Sequence, residues 1–163
     1  MIVFTGCEPR QETVVVEKTS WEYIIKIEKE VLCEESSWIL PEEAVLIDEK
    51  EEVYKEIHDD EGKVIDYEYR TKYYYEIIRW EYERSVITEG TGFFQYFGKY
   101  TLAEDERVAS EEKNFYVHGT NQEGKEVEYE VPRWEWYKIK EGDTLELEIS
   151  FLGMVDILSH KKA

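Results

Sequence analysis

Apolar and polar residues alternate along most of the chain with a period of two. In WEYIIKI, Trp21, Tyr23, Ile25 and Ile27 share one side, while Glu22, Ile24, Lys26 and then Glu28 take the other. In TLELEISF, Leu145, Leu147, Ile149 and Phe151 alternate with Glu146, Glu148 and Ser150. VIDYEY (64–69) and EVEYEV (126–131) repeat the pattern through Ile65, Tyr67 and Tyr69 and through Val127, Tyr129 and Val131. Successive side chains of a strand point to opposite sides, so this alternation predicts strands with one buried face. The separators are turn-like. DDEGK (59–63), NQEGK (121–125) and KEGD (140–143) supply Gly where hairpins often need positive φ. PEEAV (41–45) reads as a helical turn, and the remainder as all-β and antiparallel.

The strands recur in a larger pattern. Residues 38–69 align without gaps on residues 100–131, matching Leu40, Tyr54, Gly62, Lys63 and Tyr67 to Leu102, Tyr116, Gly124, Lys125 and Tyr129. Trp38 meets Tyr100, Val53 meets Phe115, and Ile65 meets Val127. WEY opens at Trp21 and again at Trp80, and WEW follows at Trp134. The pattern predicts two related β units, 21–79 and 80–133, packed as a sandwich or as paired small barrels. A small β unit cannot bury its apolar face alone, which favours such pairing. RTKYYYEI (70–77) lengthens a strand of the first unit, and 134–163 forms a closing hairpin and tail.

Composition narrows the function classes. The 163 residues carry a formal net charge of −19, which repels nucleic-acid phosphates and anionic lipid heads. Nucleic acid is therefore excluded as a direct ligand. Between Glu34 and Glu61 only Lys50 and Lys55 oppose the acidic residues, and strand edges so charged resist pairing with other chains. Two cysteines, Cys7 and Cys33, make no disulfide framework. The histidines, His58, His118 and His160, stand at no metal-ligand spacing, so neither a metal nor a cofactor is expected. Ser36 and Ser37 lack a nucleophile elbow, and each His lies in turn- or tail-like sequence. DDEG (59–62) does not fit a calcium loop. Glu recurs so evenly that no carboxylate pair stands out for glycoside hydrolysis. The chain reads as non-catalytic. Trp38, Trp134 and Trp136 lie near expected loops or strand ends and are the candidate ligand surface, a stacking platform for a glycan or a protein partner.

The first residues carry a different signal. Phe4-Thr5-Gly6-Cys7 resembles the lipobox of bacterial lipoproteins, in which small residues precede the cysteine that is acylated. The polar run Glu8–Glu12 resembles the tether that follows it. The basic stretch and full apolar run of an export signal are missing from the pattern. The resemblance implies lipidation of Cys7, residues 1–20 as signal remnant and tether, and anchoring outside the cytoplasmic membrane, with the lipid as the sole membrane contact. The second unit is also similar to small β domains of uncharacterised bacterial envelope proteins. The expected function is thus a cell-envelope lipoprotein domain that binds or scaffolds a protein or glycan. The rival readings are a cytoplasmic acidic inhibitor imitating nucleic acid and a glycan-acting hydrolase with a Glu pair.

Overall fold

The computed structural model describes residues 8–163. Seven strands and one helical turn follow in the order β1 (Arg10–Ser37), β2 (Val45–His58), β3 (Val64–Thr91), β4 (Glu106–Asn121), β5 (Glu126–Glu130), α1 (Arg133–Trp136), β6 (Thr144–Ile149) and β7 (Val155–Lys161). The fold is all-β and antiparallel, in line with the period-two pattern. The strands run in the sheet order β2-β3-β1-β4-β5, while β6 pairs with β1 and β7 with β6.

Two compact units divide the chain. Unit 1 comprises the described residues of Met1–Ile27, with Arg84–Thr101 and Val108–Ala163; unit 2 comprises Glu28–Glu83 and Leu102–Arg107. The division cuts β1, β3 and β4 part-way along their length, so neither unit is one continuous stretch of sequence.

Unit 1 holds the hydrophobic core. Val14, Val16, Trp21 and Tyr23 of β1 meet Phe115 and Val117 of β4, Leu145 and Leu147 of β6, and Trp136 and Ile139. Val127 and Tyr129 of β5 and Val155 and Ile157 of β7 pack against this cluster. The alternation in WEYIIKI and TLELEISF therefore reports burial here. The sheet begins earlier than the sequence suggests. Arg10 to Val15 pair residue by residue with Ile149 to Thr144, and Val14 and Val16 are fully buried. Residues 10–20 are thus not a tether; the apolar positions Val14 and Val16 complete the core.

The polar residue Glu12 is also buried. It accepts hydrogen bonds from Asn121 Nδ2 at 2.5 Å and from the Tyr129 hydroxyl, and Arg10 pairs with it at 3.5 Å. Burial pushes its carboxyl pKa up, but these partners outweigh burial and hold it below the ordinary value. Asp143 is the second buried carboxylate. It accepts from the backbone N–H groups of Lys140 at 2.9 Å and Ala163 at 3.0 Å and pairs with His160 Nε2 at 2.6 Å. There too burial raises the pKa, yet the hydrogen bonds win and the net shift is downward.

The closing segment differs from the expected hairpin at 134. Pro132 cannot donate to a ladder and ends β5, and one helical turn follows, with Trp136 N–H donating to Pro132 C=O at 3.0 Å. The hairpin is β6–β7, from Thr144 to Lys161. PEEAV forms a single isolated turn, closed by Ala44 N–H to Pro41 C=O at 3.1 Å.

Unit 2 consists of β2, the adjoining parts of β3 and β1, and the 102–107 segment. Among the described residues its buried apolar side chains are Tyr75 and Ile77 alone. Ile65, Tyr67 and Tyr69 alternate as predicted but are 62%, 45% and 58% exposed, so VIDYEY has no buried face. Side-chain ladders take the place of a core. Trp38 meets Tyr54 edge-on at 5.2 Å, the Arg70 guanidinium lies 3.7 Å from the Tyr54 ring centre, and Lys72 Nζ lies 5.4 Å from that of Trp38. Arg79 grips Glu35 through two bonds at 3.0 and 2.7 Å. β2 forms the end of the sheet order and is broken by register shifts at Leu46/Asp48, Val53/Lys55 and Ile57/His58.

The two hairpin turns match atom for atom. Asp59 Oδ1 accepts from the N–H of Glu61 at 3.0 Å and of Lys63 at 2.9 Å. Asn121 Oδ1 accepts from Glu123 and Lys125, both at 3.0 Å. Gly62 and Gly124 close these turns at φ of 82° and 78°, where a side chain is strained.

Candidate functional site

A cleft of about 550 Å³ opens on unit 1, lined by Lys18, Ser20, Glu22, Tyr116, His118 and Glu128, with Trp21 and residues 89–91 of β3 alongside. Its chemistry follows from the strand period. Trp21 and Tyr23 face the core, so Ser20 and Glu22 face the other side of β1. On β4, Phe115 and Val117 face the core, and Tyr116 and His118 face the cleft. β4 lies between β1 and β5, and His118 is directly opposite Glu128 in the register.

A polar row results. Ser20 Oγ lies 2.6 Å from His118 Nε2, and His118 Nδ1 lies 3.2 Å from Glu128 Oε2. One tautomer satisfies both contacts. Nδ1–H donates to the carboxylate, and Nε2 accepts from the serine hydroxyl. The His118 side chain is 20% exposed and that of Glu128 56%, so the row runs from a half-buried serine and histidine to an open carboxylate. Gly119 permits the close approach beside it. A Cβ there would lie 2.2 Å from the Val15 carbonyl oxygen.

The cleft is acidic. Glu22, Glu89 and Glu128 line it against the cation Lys18. Burial raises the Tyr116 pKa, and the charges of Glu22, Glu130 and Glu128 raise it further. Such a field disfavours anionic ligands.

The tryptophans expected to form a ligand surface are dispersed. Trp38 belongs to unit 2, half-buried between Tyr54 and Lys72. Trp134 is 67% exposed on α1. Trp136 is fully buried, packs against Phe115 at 5.1 Å and donates its indole N–H to the Tyr116 carbonyl at 3.2 Å. Trp136 is therefore a core residue and not part of a ligand surface. Residues two apart share a face on a strand, but on a helical turn they lie about 200° apart, which sends one outward and the other inward. Cys7 lies outside the described residues. Cys33 is a half-buried free thiol on β1.

Ser20 and Glu128 carry no signal of their own in the sequence, and His118, expected in turn- or tail-like sequence, lies instead within β4. Ser20 and His118 are 98 positions apart, and no local motif joins them. Their meeting depends on which strands pair and in what register. The available signal was the parity of each residue relative to its buried neighbours. Among the described residues no group of His, Cys, Asp and Glu is arranged to hold a metal ion, and no helix is long and apolar enough to cross a membrane. No protein-family model matches the sequence, and neither a curated protein nor a solved structure shows significant similarity to the chain.

Proposed function

We propose that the chain is a binding domain of the bacterial cell envelope, lipidated at Cys7, whose ligand seats in the unit 1 cleft. The cleft itself carries this reading. It combines an aromatic wall at Tyr116 with hydrogen-bonding groups at Ser20, His118 and Glu128. Pockets of this size with a few convergent polar groups are the usual seats of small ligands. Its carboxylates favour an uncharged or cationic ligand, such as a glycan or a basic peptide segment. The FTGC sequence supports the address. β1 begins at Arg10, so a lipid on Cys7 would hold unit 1 close to the membrane surface.

The matched turns at 59–63 and 121–125 support the reading of residues 38–69 and 100–131 as two copies of one hairpin. In that reading one copy contributes His118 and Glu128 to the cleft.

Two measurements test the function. Mass spectrometry of the protein from bacterial membranes should find Cys7 acylated, and Cys7→Ser should release the chain; an unmodified Cys7 sinks the address. Calorimetric titration with an uncharged oligosaccharide, a lysine-rich peptide and a glutamate-rich peptide should favour one of the first two. Binding should weaken about tenfold in Tyr116→Ala. Heat that Tyr116→Ala leaves unchanged for every ligand sinks the cleft as the seat.

A further inference from the structure

We propose that Ser20 is a nucleophile, that His118 is its general base, and that the unit 1 cleft transfers acyl groups from uncharged or cationic esters. The proposal rests on the cleft being the working surface and goes beyond a purely binding role. Three observations support it. Ser20 Oγ sits 2.6 Å from His118 Nε2, inside the reach that proton abstraction requires. Glu128, 3.2 Å from Nδ1, fixes the tautomer that leaves Nε2 as the acceptor, so it acts as a positioning residue. The three groups open into a cleft with room for a substrate, about 550 Å³. Serine, histidine and carboxylate linked in this order form the constellation that recurs on unrelated folds, recognised by geometry and not by sequence position.

The step balances without a cofactor. Ser20 Oγ forms a bond to the ester carbonyl carbon as its proton passes to His118 Nε2. The carbonyl-to-alkoxy bond breaks, and the proton leaves with the alcohol. Water then attacks the acyl-serine, gives its proton to His118, and the carboxylic acid departs as Ser20 regains its hydrogen. The net change is ester plus water to acid plus alcohol. Lys18, which lines the same cleft two residues before Ser20, is the cation available to the negative charge developing on the carbonyl oxygen.

The test uses an uncharged alkyl fluorophosphonate on the full chain at pH 8. Attack forms a Ser20 O–P bond and expels fluoride, so peptide mapping should place a single adduct on Ser20. Ser20→Ala should abolish the adduct, and His118→Ala should slow its formation at least about 100-fold. Glu128→Gln should slow it about tenfold at unchanged melting temperature, and Glu128→Asp should restore part of the rate. No Ser20 adduct on the folded wild type after hours, or equal labelling of His118→Ala, overturns the proposal. The ligand titration on Ser20→Ala separates the two readings. Binding by Ser20→Ala without labelling of the wild type removes the nucleophile alone, whereas labelling without binding removes the binding role alone.

Discussion

Unit 1 and unit 2 are built from the same residue types in the same alternation, yet they differ in how much of an interior they enclose. EVEYEV in unit 1 buries Val131 and packs Val127 and Tyr129 against the core. VIDYEY in unit 2 leaves Ile65, Tyr67 and Tyr69 exposed. WEY divides in the same way: Trp21 and Tyr23 are buried in unit 1, and Tyr82 is 66% exposed in unit 2. Alternation is a property of the strand; burial requires apolar groups packed over its face, which β6, β7 and the segment around α1 supply to unit 1. Unit 2 must rely on its backbone ladder and on cross-strand pairs, each worth about 0.2–1 kcal/mol.

The comparison is open to four tests, from the largest expected effect to the smallest. Trp136→Ala should destabilise unit 1 by about 4 kcal/mol, the usual cost of emptying a buried aromatic site. Trp38→Ala in unit 2 should cost about 1 kcal/mol, the sum of one ring contact and one exposed cation–ring contact. Urea titrations giving equal losses would erase the distinction between the units.

Acid should act on unit 1 through its buried carboxylates. Asp143 and Glu12 both have folded pKa values below the ordinary ones. Their contribution is therefore complete above the unfolded carboxylate pKa and is lost as pH falls through the folded value. Asp143→Ala should cost about 3 kcal/mol at neutral pH, since the partners of a buried charge are left unmet. It should also flatten the acid limb of a melting-temperature profile. An unchanged limb would place the acid sensitivity elsewhere.

The paired turns provide a subtler contrast. Asp59→Asn keeps the oxygen that accepts from Glu61 and Lys63, and thermal melts should move by less than about 0.5 kcal/mol equivalent. Asn121→Asp keeps the same turn bonds but replaces the donor to Glu12 with a carboxylate. It should cost about 2 kcal/mol, and the loss should shrink as acid neutralises the pair. Equal effects at the two positions would mean that the Glu12 contact is dispensable.

The smallest effect concerns local opening. Amides of β2 should exchange faster than those of β4 and β6 by hydrogen-exchange mass spectrometry, because β2 is exposed along its length and interrupted by register shifts. Slower exchange in β2 would contradict the ladder account.

Much of this architecture was legible in the sequence because strand parity and turn chemistry are local. WEYIIKI, TLELEISF and the glycine turns needed no tertiary information. Three features did need it. The role of Val14 and Val16 depends on β6, which lies some 130 positions later in the chain. The helical turn at Trp134 follows from Pro132 breaking the ladder, although WEW by itself has the parity of a strand. The Ser20–His118–Glu128 row required the sheet order, because each residue is ordinary in its own strand.

Asn121 serves the turn and the core with different atoms of one amide. Deamidation of an asparagine releases ammonia and yields isoaspartate or aspartate, and only the aspartate product keeps the backbone unaltered. At this turn the product would keep the oxygen that caps Glu123 and Lys125, so the hairpin would look intact. The lost –NH₂ is the group that reaches buried Glu12. Protein converted to aspartate at this position would carry two facing carboxylates at the edge of its core, one mass unit heavier and less stable near neutral pH.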